Sequence, residues 1–174
     1  LKLERDFIKK ELENERPIVG VCLGAQLLAS AAGGDVEILK YGSPPKALPE
    51  IGWSQIFIDK LNKDFQEFFE DPFHVLHWHG DRILLPNKAV LIASSARCSE
   101  QLFRIGNFAY GLQFHVETTR EMIDNWINED KEFVFEGLGP NGQSILREEN
   151  RKYSDKTFLK RKLFINKLFE LLEN

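Results

Sequence analysis

The chain has 174 residues, 43% apolar and 29% charged, with 27 acidic against 23 basic side chains and a formal net charge of −4. At ~150 residues per domain, residues 1–174 read as a single domain with a continuous buried core and no room for a second catalytic domain. The acidic balance supplies no broad positive field for nucleic acid, and two cysteines, Cys22 and Cys98, cannot build a disulfide framework, which points to a reducing compartment.

The opening LKLERDFIKKELENER places Leu3, Phe7, Ile8 and Leu12 at helical spacing among charged residues, which predicts a surface helix with one core-facing stripe that ends at Pro17. It is no signal-peptide h-region. Pro17 to Gly34 carries no charge, yet Pro17, Gly20, Gly24, Gln26, Ser30, Gly33 and Gly34 interrupt it, whereas a membrane-spanning helix needs roughly 20 predominantly apolar residues. The expectation is a cytoplasmic protein without a membrane partner.

Within that stretch Ile18 to Val21 reads as a short buried strand, and AQLLASAA after Gly24 reads as a helix stopped by Gly33 and Gly34. Val36 to Lys40 is a strand candidate and YGSPPKALPE a proline-rich loop. Strands are expected at 51–58, 73–79, 89–94, 102–105 and 108–115, with a short helix at 64–70. Thr118 and Glu121 have the spacing of a capping box for a following helix. GLGPNG reads as a turn, REENRKYSDK as a solvated charged face, and 154–172 as a final helix. Helices flanking a largely parallel sheet define an α/β fold, here a three-layer sandwich.

The chemistry concentrates in GVCLGAQ, Gly20 to Gln26. A cysteine between a buried strand and a helix sits on a strained turn, where flanking glycines avoid collisions between strand and helix. The helix start beside Cys22 aims N–H groups at the sulfur and favours thiolate, and the N–H of Leu23 is the expected half of an oxyanion hole. A second signal is QFHVE, Gln113 to Glu117. At strand period His115 and Glu117 share a side, so the carboxylate can orient the imidazole in the manner of a catalytic triad.

GVCLGAQ followed by QFHVE resembles the class I (triad) glutamine amidotransferases, and EIGW (Glu50 to Trp53) with HWHGD (His77 to Asp81) resembles the branch around the amidotransferase domain of GMP synthase. The resemblance covers roughly residues 1–126. It implies a flavodoxin-like, doubly wound, mostly parallel sheet, with Cys22 as nucleophile, His115 as general base and acid, and Glu117 as third triad member. It also implies that Gln26 helps hold the substrate glutamine, that Gly24 allows close backbone approach, and that Trp78 and His79 border the pocket. No cofactor is needed for this chemistry.

Two departures accompany the resemblance. Val116 stands where the motif usually has proline, with a side chain expected to face away from His115 and Glu117. No glycine-rich loop precedes Cys22 to give a second oxyanion donor, and Met122 is the only methionine. From these, Leu1 is expected to be a truncation boundary and the N-terminal strands of the fold to lie outside this sequence.

The activity so implied is hydrolysis of the glutamine side-chain amide, releasing ammonia to an acceptor such as a synthetase subunit or domain. A γ-glutamyl or peptide hydrolase on the same triad and a non-catalytic regulatory homologue are the alternatives. His74, His77 and His79 crowd together, but zinc wants three or four ligands and Asp81 is the only local acid, so no metal is expected. Cys98 lacks a glycine elbow and reads as structural.

Overall fold

The structure, a computed structural model, describes residues 1–68 and 72–173. The amphipathic opening forms helix α1 (Lys2–Glu13), and the apolar run after Pro17 forms strand β1 (Ile18–Val21), which leads through Cys22 into α2 (Leu23–Ala31). Then come β2 (Asp35–Ile38), the minimal pair β3 (Lys40–Tyr41) and β4 (Lys46–Ala47), the long β5 (Glu50–Ile58) and a short 3-10 helix at Lys63–Phe68. The end of the helix expected at 64–70 lies outside the described residues. Strands β6 (Phe73–His79), β7 (Asp81–Leu84), β8 (Ala89–Ser94), β9 (Leu102–Ile105) and β10 (Ala109–Leu112) precede α3 (Arg120–Glu129), α4 (Lys131–Leu138) and α5 (Gly142–Glu173).

The main sheet has six strands in the order β1-β10-β9-β8-β5-β6. Helices cover both faces, as the α/β, flavodoxin-like class requires. Within that class the pairing is mixed and not mostly parallel: only β1 and β10 run parallel, in the register Val21↔Leu112, and the other neighbours are antiparallel. Linker length is the reason. Residues 106–108 are all that joins β9 to β10, which permits a hairpin, whereas a parallel crossover needs a dozen or more residues.

Strand alternation divides the core. On one face Phe103, Ile105 and Ala109 pack with Ala25, Leu28 and Ala29 of α2. On the other, Leu102, Tyr110 and Leu112 meet Phe164 and Leu168 of α5, and the Phe65 and Phe164 rings stack at 5.2 Å. Removing a buried phenylalanine such as Phe164 would cost about 3–5 kcal/mol. A third cluster joins Ile51, Trp53 and Leu76 to Ile123, Ile127, Val134 and Leu146, which docks α3 and α4 beside the end of β6.

Several expected details differ. Leu3 and Phe7 are 82% and 63% exposed, so only Ile8 and Leu12 of α1 reach the core. The cap of α3 is Thr119, whose side chain accepts from the Met122 N–H, while Thr118 is buried. The proline-rich loop carries the β3–β4 hairpin, and β7 pairs with β2 in a separate two-stranded sheet. Helix α5 begins twelve residues before the expected Ser154, and Asn150 and Ser154 of the supposed solvated face are buried. Among the described residues no helix is long and apolar enough to cross a membrane.

Candidate active site

The parallel pair sets the site. Strands β1 and β10 end side by side, so the residues that follow them, Cys22 and Gln113 to Glu117, meet although more than ninety positions separate them in sequence. Cys22 has φ 50° and ψ −107°, a left-handed conformation that costs a side-chain-bearing residue on the order of 1–3 kcal/mol. It is held there by its N–H, which donates to the Leu112 carbonyl at 2.7 Å, and by its carbonyl, which accepts from the Gln26 N–H at 3.1 Å. A Cβ at Gly20 would lie 2.5 Å from the Gly24 carbonyl oxygen and 2.8 Å from the Ala25 nitrogen, so α2 can pack on β1 only over a glycine. Gly24 differs from the expected collision: a Cβ there meets nothing within 4 Å.

Strand β10 stops at Leu112, and His115 lies beyond it on an isolated bridge to Leu76, its N–H donating to the Leu76 carbonyl at 2.8 Å. The QFHVE segment is therefore not a strand end, yet its two functional groups meet: His115 Nδ1 stands 2.6 Å from Glu117 Oε1. The other carboxylate oxygen accepts the Val116 N–H at 2.9 Å. Burial opposes charge on His115, but hydrogen bonding to Cys22 and Glu117, with their negative charge, outweighs it and raises the imidazole from 6.5 to about 9. Burial likewise opposes the Glu117 carboxylate, and the His115 contact overrides it and lowers the group below its usual range.

The sulfur has two further neighbours. Cys22 Sγ lies 3.7 Å from the Trp78 carbonyl oxygen, and Gln113 Nε2 donates to the sulfur at 3.8 Å. Gln26 donates to Gln113 Oε1 at 3.3 Å, so it reaches the Cys22 sulfur through Gln113. A pocket of about 320 Å³ opens over Cys22 and His115, walled by Trp78 and Trp126 and rimmed by Glu129 and Asp130. The Trp126 ring meets His115 edge-on at 5.1 Å, and the Trp78 indole N–H donates to Asp130 at 3.1 Å.

His79, expected at the pocket, is buried behind it. Its Nε2 faces Glu50 Oε2 at 3.2 Å and its Nδ1 faces the Asp81 carbonyl at 2.8 Å, while Gln101 Nε2 donates to the same Glu50 oxygen at 2.8 Å. Burial resists ionisation of Glu50, but contact with His79 and His77 holds its carboxyl below the usual range. Glu50, His77 and His79 place potential ligand atoms within 4.8 Å of one another. His77 is fully buried and driven down to about 4 by that burial despite Glu50, and His74 stacks on Tyr153 at 4.7 Å. Cys98 is 2% exposed and burial pushes its thiol up to about 12.

The sequence motifs include Glu50 and Gln113 without giving either a role, and Trp126, Glu129 and Asp130 fall outside every motif. Trp126 and Asp130 stand four apart, the spacing of one helical face, and Glu50 is the one charged residue of its strand, EIGWSQIFI; both patterns carry a signal. Gln113 has none apart from its proximity to His115.

Comparison with known proteins identifies the family and the fold. The family model Glutamine amidotransferase class-I matches residues 1–132, and the chain belongs to that family. It is 32% identical over 140 residues to the glutamine amidotransferase-like protein YfeJ of Salmonella typhimurium, covering 79% of this chain and 56% of the relative. To the glutamine-hydrolyzing GMP synthase subunit of Ignicoccus hospitalis it is 35% identical over 124 residues, covering 67% of this chain and 62% of the relative. The crystal structure of a glutamine amidotransferase from Thermotoga maritima superimposes with a TM-score of 0.78 at 31% identity, over 99% of this chain and 70% of that one. The chain thus spans somewhat more than half the length of these curated relatives.

Proposed function

We propose that the chain is a glutaminase-type amidotransferase in which Cys22, His115 and Glu117 form the triad. The observation that carries the reading is the convergence of a strained cysteine at a helix start with an imidazole whose other nitrogen is 2.6 Å from a carboxylate, all under one pocket. The Cys22 thiolate attacks the side-chain carbonyl carbon of glutamine, and the oxyanion is held by the Leu23 N–H at the head of α2. His115, charged at rest, gives its proton to the departing nitrogen, so ammonia leaves and a γ-glutamyl thioester remains. Water enters, loses a proton to His115 and attacks the thioester, and the Cys22 sulfur leaves with release of glutamate. Glu117 stays ionised and orients the ring.

The open space beside Gly24 suits close approach of substrate, Trp78 and Trp126 sandwich its methylene groups, and Glu129 and Asp130 offer carboxylates to its α-ammonium. Gln26 acts through Gln113. The likeness to a GMP synthase component supports an ammonia acceptor in a synthetase domain or a separate partner chain, and no cofactor takes part.

The test measures ammonia release from L-glutamine and hydrolysis of a γ-glutamyl dipeptide, with Cys22→Ala as control. Preference for glutamine, abolished by the substitution, is the expected result. Faster hydrolysis of the dipeptide would assign the triad to a peptidase. No turnover of either, with Cys22 unlabelled by a glutamine-mimicking electrophile, would leave a non-catalytic homologue.

A further inference from the structure

Arg161 lies on α5, outside the part of the chain that the family model matches, and it is a charged residue only 2% exposed. Its guanidinium spends its donors on four acceptors. Nη1 donates to the carbonyls of Val116 at 2.9 Å and Thr118 at 2.7 Å, Nη2 to the Ser154 carbonyl at 3.0 Å, and Nε to Thr157 Oγ1 at 3.0 Å. Two of these carbonyls flank Glu117. The 116–118 segment has left the β10 ladder, among the described residues no strand pairs with it, and the fork of one arginine holds it instead. Burial disfavours the guanidinium charge, and the Glu117 and Asp155 carboxylates favour it, so the cation that clamps the segment also sees the carboxylate that orients His115.

We propose that Arg161 is a positioning residue for Glu117, which makes α5 part of the active-site support and not only a cover for the sheet. The guanidinium is suited to this because its N–H groups diverge in one plane and reach the two carbonyls, Ser154 and Thr157 together, whereas a lysine ammonium is a compact point charge. Charge alone would be kept by Arg161→Lys; the grip on both carbonyls would not. Loosening the segment lets the Glu117 carboxylate drift from Nδ1, and a misplacement of about 1 Å at such a distance from the chemistry can cost on the order of a hundredfold.

The inference rests on the triad reading, and the experiment separates the two. Ammonia release is measured on the whole protein for wild type, Arg161→Lys, Glu117→Gln and the double variant, with rates normalised to the folded fraction by circular dichroism. The expected result is that Arg161→Lys lowers kcat about ten- to a hundredfold with KM little changed, and that it costs almost nothing further in the Glu117→Gln background, the non-additivity of residues that act as a unit. Should Arg161→Lys not fold, Thr157→Val keeps the charge but removes the Nε acceptor, and a severalfold loss of kcat with the same non-additivity is expected. Wild-type turnover per folded molecule in both variants, or an equal loss with and without Glu117, would overturn the proposal. Full turnover by Glu117→Gln alone would instead overturn the triad.

Discussion

Replacing Glu117 by glutamine changes stability in a pH-dependent way whose sign follows from the His115 environment. The imidazole rises from 6.5 to about 9, so at pH 7 the native ring is charged by about a hundred to one, a preference of about 3 kcal/mol over the unfolded chain. Cys22 and Glu117 share that preference, and Glu117→Gln should remove about 1–2 kcal/mol of it. No separate contribution is taken from the shift of Glu117 itself, because its side chain is 41% exposed and screened by solvent. A raised histidine stabilises fully below its unfolded value of 6.5, and the contribution disappears as pH rises through about 9. The lowered carboxylate stabilises above its unfolded value of 4.5, and that contribution disappears in acid. The gap between wild type and variant should therefore be widest between 4.5 and 6.5 and close above about 9. Urea unfolding of both proteins near pH 5.5, 7.5 and 9.5 measures it. A gap that stays constant across this range, or opens as pH rises, would refute the charged-ring reasoning.

Iodoacetamide should alkylate Cys22 far faster than Cys98, because Cys22 borders an open pocket while Cys98 is buried with its thiol pushed up to about 12; peptide mapping after brief exposure reads the ratio, and equal rates would contradict the assigned roles. Gly20→Ala should destabilise by several kcal/mol, since the new methyl meets the backbone of α2 and not a movable side chain. Gly24→Ala, free of contacts, should gain up to about 1 kcal/mol of helix stability while obstructing the approach to Cys22. Thermal melts and ammonia release on the pair check the contrast, and similar melting temperatures for the two would contradict it.

What could be read from sequence was whatever local chemistry encodes. The elbow at Gly20 to Gln26 was legible because a strand, a strained residue and a helix start are all short-range features, and most strands were legible from β-branched runs. The antiparallel character of β5, β8 and β9 was not, since pairing partners are chosen by linker length and by packing against α5. Helix α5 was missed over its first twelve residues because most of REENRKYSDK is polar, and only the arrival of α3, whose Arg120 carbonyl and Asp124 carboxylate accept from the Asn150 amide, gives Asn150 a buried partner. His79 was misplaced for a similar reason: strand alternation assigns it a face but cannot reveal that Glu50, on the neighbouring strand, occupies that side. The contact of Glu117 with His115 was legible from their spacing, although the backbone between them had left the sheet, because residues two apart are close in either conformation.

The parallel pairing of β1 with β10 has a consequence for how this molecule can change. Residues 32–108 are an excursion that leaves one of these strands and returns to the other, and the separation of Cys22 from His115 is set across a single register, Val21 opposite Leu112. Length can be added or removed at the β3–β4 hairpin, which stands outside the six-stranded sheet, without altering that measure. A one-residue slip between β1 and β10 would instead turn the segment leading to His115 onto the opposite face. The intervening chain therefore divides in two: the hairpin is free to vary, whereas Leu76 and Trp78, which touch His115 and Cys22, are tied to the register of the site.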